Sequence, residues 1–173
     1  MKTLSRKFLA LLPLIAAAGS VAAADTSAEK ANLERGRYMV ITGGCNDCHT
    51  PGYPQKDGKV PDAEWLTGNP VGFQGPWGTT YPANLRLFVQ SLTEDQWVNR
   101  VQTKPFRPPM PGFNLRQATE SDLRAIYQFI HSLGATGQAA PAYAPPEQAV
   151  NTPYIEFVPK NLPAATKVSA VAK

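Results

Sequence analysis

The feature that most constrains this chain is one short motif, Cys45-Asn46-Asp47-Cys48-His49. The chain of 173 residues holds no other cysteine, so no framework of disulfides can join distant segments. Two thiols at i and i+3 share one side of a helical turn, and the histidine follows directly. C-x-x-C-H is the attachment pattern of c-type haem, in which both thiols bond the porphyrin and the histidine binds the iron. The motif therefore predicts one covalent haem c, held by Cys45, Cys48 and His49.

Two other kinds of site also use a C-x-x-C pair. A redox-active dithiol usually lies on a thioredoxin-like βαβ scaffold, and the sequence has no such strand pattern. A structural zinc site commonly needs four ligands, and His131 is the only histidine or cysteine outside the motif. Both alternatives stay open, but haem is favoured because the export signal and helical patterns described below agree with it.

A second axial ligand has few candidates beyond the initiator methionine, namely Met39, Met110 and His131. Met39 comes six residues before the motif, on a predicted helix, where core packing is the alternative. His131 falls in the last turn of another predicted helix, where a surface role is usual. Met110 lies in a non-helical segment with prolines at 108, 109 and 111, which stiffen the backbone. We therefore predict that Met110 is the second iron ligand, and His/Met ligation raises the reduction potential of a haem.

The first residues have the layout of an export signal. Three basic residues precede an apolar run over residues 8–18, and the small residues Ala22-Ala23-Ala24 follow. The run is shorter than the ~20 apolar residues of a transmembrane helix, and an uncleaved anchor or a buried helix is the alternative. We expect residues 1–24 to be a signal peptide, residues 25–137 to be one domain, and residues 138–173 to be a Pro-rich extended tail. The expected location is the periplasm.

The charge of the chain argues against nucleic acid as a partner. Residues 1–24 carry three of the 17 basic residues and none of the 13 acidic ones. Removing them leaves 14 basic and 13 acidic residues, a net charge of +1. No basic run with interleaved aromatic residues follows, as would be expected of a surface that tracks phosphates. We expect no nucleic-acid binding.

Three segments of the remaining chain have helical patterns, roughly residues 28–41, 94–102 and 120–133. Thr93 and Gln96 form a capping-box pattern before the second. Between the first two lies a Gly- and Pro-rich stretch over residues 50–92 with little periodicity. A loop of this length is reasonable if it wraps a large flat group such as haem.

The residues from about 32 to 133 resemble class I cytochromes c. Gly36-Arg37-Tyr38 is similar to the glycine-aromatic element of that family's N-terminal helix, which crosses a C-terminal helix similar to residues 122–127. Pro61, twelve residues after the motif histidine, matches a proline whose carbonyl accepts the histidine N–H in that family. The resemblance implies an all-α class I cytochrome c fold, with three main helices and long loops around one covalent haem, and an extended Pro-rich C-terminal tail.

A closer similarity is to the haem subunits of periplasmic dehydrogenases. It is carried by Leu66-Thr67-Gly68, by residues 78–85 and by Pro109-Met110-Pro111. The resemblance implies that Trp77, Tyr81 and Asn84 hydrogen-bond the haem propionates, with aromatic packing as the alternative. The chain departs from those subunits in having one motif rather than three, and in having Arg86-Leu87-Phe88 where they tend to have Thr-Pro-Asp.

The implied function is one-electron transfer in the respiratory chain. A periplasmic dehydrogenase would be the donor, and an oxidase or another cytochrome the acceptor. With His49 and Met110 both bound, the iron has no open position, so we expect no catalytic residues and no enzymatic activity of the chain itself. One alternative is a haem subunit tightly bound to a dehydrogenase complex, which the tail could wrap. The other is a haem sensor or peroxidase-like protein. Association with a membrane complex stays open, with no transmembrane segment expected after signal cleavage.

Overall fold

The structure is a computed structural model that describes residues 18–161, with side chains from residue 26 onward. Most of the predicted signal peptide and residues 162–173 of the predicted tail lie outside the described residues. The helices are α1 (Ala18–Thr42), α2 (Cys45–His49), α3 (Leu85–Gln90), α4 (Glu94–Thr103), α5 (Gly112–Leu115) and α6 (Glu120–Ser132). The strands are β1 (Gly72–Gly75), β2 (Gly78–Thr80) and β3 (Tyr154–Glu156). Within residues 18–161, no helix is long and apolar enough to cross a membrane.

Helices α1 and α6 cross at Gly36. A Cβ atom at this position would lie 2.0 Å from the backbone oxygen of Ala125, so only glycine permits the approach. Beside the crossing, Arg35 Nε lies 2.7 Å from Asp122 Oδ1. The predicted contact of the Gly36 element with the C-terminal helix is therefore present. Helix α1 also includes residues 18–27, ahead of the predicted start at residue 28.

Helices α4 and α6 begin where their capping residues predict. Thr93 Oγ1 accepts from the backbone N–H of Gln96, and Gln96 Oε1 accepts from that of Thr93, which completes the capping box. Thr119 caps α6 in a similar way, accepting from the N–H of Asp122. The two helices pack together, and Trp97 Nε1 donates to the Leu123 carbonyl over 2.9 Å. Both predicted helices are confirmed.

The core lies between these helices and the loop that follows α2. Its members are buried aliphatic and aromatic side chains, which exclude water from the helix interfaces. The largest that are fully buried are Leu66, Leu123, Ile130, Val40, Val89 and Val101.

The predicted all-α fold is wrong, because the described residues include a three-stranded sheet in the order β2-β1-β3. Strands β1 and β2 form an antiparallel hairpin in which Phe73 pairs with Thr80. Strand β3 lies parallel to β1, with Phe73 opposite Ile155. The strands are three or four residues long, and β1 and β2 contain glycine. They are too short to show the alternation by which a strand is recognised.

Two parts of the predicted extended tail pair with this sheet within the described residues. Ala144 forms an antiparallel bridge with Thr79, and Tyr154–Glu156 is strand β3. The Phe157 ring then packs on Phe73 and Trp77, with centroid distances of 5.7 and 6.0 Å. The segment thus packs on its own domain.

Candidate haem site

Helix α2 places the three motif residues on one turn. It begins after Gly44, whose φ of 67° is the left-handed conformation that glycine adopts without strain. Cys45 and Cys48 are both free thiols, and both are partly buried. Burial raises the pKa of the Cys45 thiol to about 11 and also raises the pKa of Cys48. A reactive dithiol needs a lowered thiol pKa, so this environment does not favour dithiol chemistry.

The zinc alternative gains no support from the described side chains. Among residues 26–161, no group of three His, Cys, Asp or Glu side chains is arranged to hold a metal ion. A structural zinc site with protein ligands alone would need four.

The His49 ring is buried and oriented by a backbone carbonyl. Its Nδ1 lies 2.7 Å from the Ala83 oxygen. Since a carbonyl can only accept, Nδ1 carries the hydrogen, and Nε2 keeps the lone pair that binds a metal. Burial lowers the pKa of His49, so the ring favours the neutral form that a metal ligand requires.

The partner of His49 differs from the one that the resemblance implied. The expected acceptor was the Pro61 carbonyl, but this oxygen accepts from the backbone N–H of Glu64 over 2.8 Å. Pro61 precedes a 3₁₀ turn, Asp62–Glu64, and its carbonyl closes that turn. The Ala83 carbonyl takes its place at His49.

The backbone around α2 is fixed by a buried network. The Thr50 hydroxyl donates to Asn46 Oδ1 over 2.7 Å and accepts from the N–H of Leu66 over 2.8 Å. Next along the chain, the Gly68 N–H donates to the His49 carbonyl over 2.8 Å. A Cβ atom on Gly68 would lie 2.8 Å from the backbone nitrogen of Asn84, so glycine lets these segments meet. The ring and the backbone of His49 are thereby held by the same pair of segments.

Met110 lies in a turn in which its own N–H donates to the Arg107 carbonyl over 3.1 Å. The Met110 side chain is partly buried. The Pro108 carbonyl in this turn accepts from Thr80 Oγ1 over 2.7 Å. The Met110 turn is thus attached to strand β2.

The two other candidate ligands have different surroundings. Met39 packs against the core cluster, in agreement with the packing alternative. His131 is exposed near the end of α6, and its ring stacks on Tyr127 with a centroid distance of 5.5 Å. Met110 remains the candidate that the structure attaches to the segment next to His49.

Both predicted axial residues are linked to one short segment, Thr80–Ala83. Thr80 binds the Met110 turn, and Ala83 binds the His49 ring. Three residue steps span at most about 11 Å in a fully extended chain. The donor set fits a haem. It offers two free thiols on one turn, an imidazole with Nε2 directed away from its carbonyl partner, and a methionine whose turn is bonded to the same segment.

The three residues expected at the haem propionates have their polar atoms in bonds within the protein. Trp77 Nε1 donates to the Phe73 carbonyl, and the Tyr81 hydroxyl bonds the Thr152 hydroxyl. Asn84 Oδ1 caps helix α3 by accepting from the N–H of Leu87, and its Nδ2 donates to two carbonyls of residues 136 and 138. These contacts favour the structural alternative.

Arg86 is a structural residue whose role the sequence did not predict. Its side chain is 7% exposed, and it donates to the carbonyls of Leu133, Gly134 and Ala63. The first two are carbonyls at the end of α6, which lack partners within the helix. Arg86 thus ties α3 to the end of α6. No local pattern marks this role, because the acceptors lie 23 to 48 residues away.

Comparison with models of protein families, with curated proteins and with solved structures gave no match. The resemblance to class I cytochromes c therefore stays a prediction, and the function is inferred from the residues of the site.

Proposed function

We propose that this chain is a carrier of single electrons, with one haem attached through Cys45 and Cys48 and ligated by His49 and Met110. The observation that carries the proposal is the attachment of both axial candidates to Thr80–Ala83. A haem bound there supplies one-electron chemistry, because its iron alternates between the ferrous and ferric states.

The protein residues have three tasks in this proposal. The thiols fix the cofactor to α2, so that an exported domain retains it. The Ala83 carbonyl holds His49 in the tautomer that presents Nε2. Met110 would be the second protein ligand of the iron, and His/Met ligation would raise the reduction potential and leave no iron position open to a substrate.

The partners follow from the same proposal. A periplasmic dehydrogenase would donate the electron, and an oxidase or another cytochrome would accept it. Residues 138–161 do not favour the alternative in which the tail wraps a dehydrogenase. Within that range, Ala144 bridges Thr79 and β3 pairs with β1 of the chain's own sheet.

The proposal is tested by absorption spectra of protein matured in a periplasm with haem-attachment machinery. We expect sharp ferrous bands, a haem that resists acid extraction, and a weak ferric sulfur-to-iron band. Met110→Ala should lose the sulfur-to-iron band and bind cyanide far faster, because its sixth position is open. Met39→Ala is the matched control, since its thioether packs on the core, and its spectrum should match the wild type.

The outcomes separate the parts of the proposal. A chain without covalent haem would overturn the proposal as a whole. Haem bands that are identical in the wild type and in Met110→Ala would remove Met110 as the ligand. In that case His131→Ala shows whether the exposed histidine takes its place.

A further inference from the structure

The Met110 turn is held at two consecutive residues by two different segments. The Pro108 carbonyl accepts from Thr80 Oγ1 over 2.7 Å. The Arg107 guanidinium lies over the Tyr143 ring, 4.1 Å from its centre, in a cation–π contact. Because the Met110 N–H binds the Arg107 carbonyl, both contacts act on the backbone that presents the thioether.

Thr80 and Tyr143 face each other across a strand pairing. Thr79 and Ala144 exchange two hydrogen bonds of 2.8 and 3.0 Å, which makes an antiparallel bridge. In antiparallel pairing, the residue after one partner lies opposite the residue before the other, which places Thr80 opposite Tyr143. The Tyr143 hydroxyl donates to the Trp77 carbonyl over 2.8 Å and fixes its ring. The two contacts with the Met110 turn thus come from one paired position.

We propose that Thr80 and Tyr143 form a clamp that keeps Met110 on the iron, and that both are positioning residues for this ligand. The inference rests on the proposed function, because it concerns the sixth ligand of the proposed haem. In this proposal, the segment from Tyr143 to β3 helps to position Met110, because the pairing of Ala144 with Thr79 brings the Tyr143 ring under Arg107. Neither residue binds the iron itself.

The far end of the turn has its own support, so the clamp can be removed without unfolding the turn. Phe106 packs so closely over Gly112 that a Cβ atom there would lie 2.2 Å from Phe106 Cδ2. Arg100 of α4 lies over the Phe106 ring, 4.9 Å from its centre. Loss of the clamp should therefore change how often Met110 leaves the iron, while the fold remains.

The test measures the rate of cyanide binding to the ferric holoprotein, together with the sulfur-to-iron band and the reduction potential. Thr80→Val should bind cyanide about fivefold faster, the factor expected from one ordinary hydrogen bond. Thr80→Ser keeps the hydroxyl and should restore the wild-type rate. Tyr143→Leu loses the cation–π contact with Arg107 and the hydroxyl bond to Trp77, and should bind about twentyfold faster. Tyr154→Leu, at a half-exposed tyrosine of β3, is the matched control and should not change the rate.

A second readout follows the amide hydrogen of Met110, which is bonded to the Arg107 carbonyl. Its exchange with solvent should accelerate in Thr80→Val and Tyr143→Leu, with the unfolding midpoint retained. Equal cyanide rates in both variants and the wild type, with the sulfur-to-iron band present in all, would overturn the clamp. If Tyr143→Leu does not fold, the same rates are compared in Tyr143→Phe, which loses only the hydroxyl, and in Thr80→Val and Thr80→Ser. A wild type without the band overturns the proposed ligation instead, and Met110 exchange still decides whether the clamp exists.

Discussion

His49 and Met110 are held by contacts of different kinds. His49 is buried, and its ring and its own carbonyl are bonded to the backbone of Ala83 and Gly68. The Met110 turn depends on a threonine hydroxyl and on an arginine stacked over Tyr143, and Arg107 and Pro108 of this turn are exposed.

For the proposed haem, the difference indicates which of the two proposed ligands the protein could release. A change around His49 disturbs buried backbone, so its cost falls on the stability of the whole fold. A change around Met110 affects surface contacts between separate segments, so its cost would fall on retention of Met110 as the proposed ligand. A haem held as proposed would have one permanent axial ligand and one that depends on the proposed clamp.

The largest expected effect on the free energy of unfolding is that of Gly68→Ala, which tests the His49 side. Gly68 has φ of +83°, and a Cβ atom would meet the Asn84 nitrogen at 2.8 Å. Strain and overpacking together should lower the free energy of unfolding by about 3 kcal/mol. Denaturant unfolding of the holoprotein measures this loss.

Gly134→Ala is the matched control, because Gly134 has a similar φ of +73° but no atom within 4 Å of the added Cβ. Its free energy of unfolding should fall only by the strain that alanine has in the left-handed conformation, about 1 kcal/mol. Equal losses in the two variants would show that close packing at Gly68 does not support the His49 side.

A smaller effect is expected on the Met110 side from Phe157→Ala. The substitution removes the ring contacts with Phe73 and Trp77 that hold the end of β3. The loss should be about 1 kcal/mol, since the ring is 40% exposed. Hydrogen exchange should accelerate at the Gly72 amide, which bonds the Pro153 carbonyl, and stay unchanged in α6.

Phe113→Ala, at a ring that is 65% exposed on α5, serves as the control for Phe157→Ala. Faster exchange in α6 of Phe157→Ala would contradict the separation of the two sides, because it would mean that the sheet and the helices open together.

The smallest expected effect is on the stability of the fold in acid, through the Asp122 carboxylate at the crossing of α1 and α6. The hydrogen bond from Arg35 is the main cause that lowers the pKa of Asp122, and the bond with Thr119 adds to it. A lowered carboxyl pKa stabilises the fold above the unfolded value of about 3.9, and this contribution is lost as the pH falls further. The free energy of unfolding should therefore fall less from neutral pH to acid in Asp122→Asn than in the wild type.

Urea unfolding at a series of pH values measures this slope. Asp57→Asn is the control, since this loop carboxylate is 89% exposed. Identical acid slopes in Asp122→Asn and in the wild type would mean that the Arg35 contact adds nothing to the crossing.

The sequence predicted helices α4 and α6 well because the signals at their starts are local. Thr93 with Gln96 and Thr119 with Asp122 mark helix starts within four residues. The motif on α2 is equally local. The crossing at Gly36 was predicted through a family resemblance, and the approach to Ala125 is present.

The sheet and the histidine partner could not be predicted in this way. Strand β3 pairs with residues about 80 positions earlier, and neither strand has an alternating pattern long enough to recognise. The carbonyl of Ala83 took the place expected of Pro61, and a backbone carbonyl carries no side-chain signature. Such contacts depend on where the whole chain places two segments.

The prolines of the C-terminal segment have a consequence for the outer edge of the sheet. Strand β3 is an edge strand, and Tyr154 and Ile155 are exposed on it. An open edge with apolar side chains invites pairing with other chains, which proteins limit with short strands, prolines and charges. Here β3 has three residues, Pro153 and Pro159 lie on either side of it, and Glu156 adds a charge. The segment can thus complete the sheet while offering too short an edge for aggregation to spread from it.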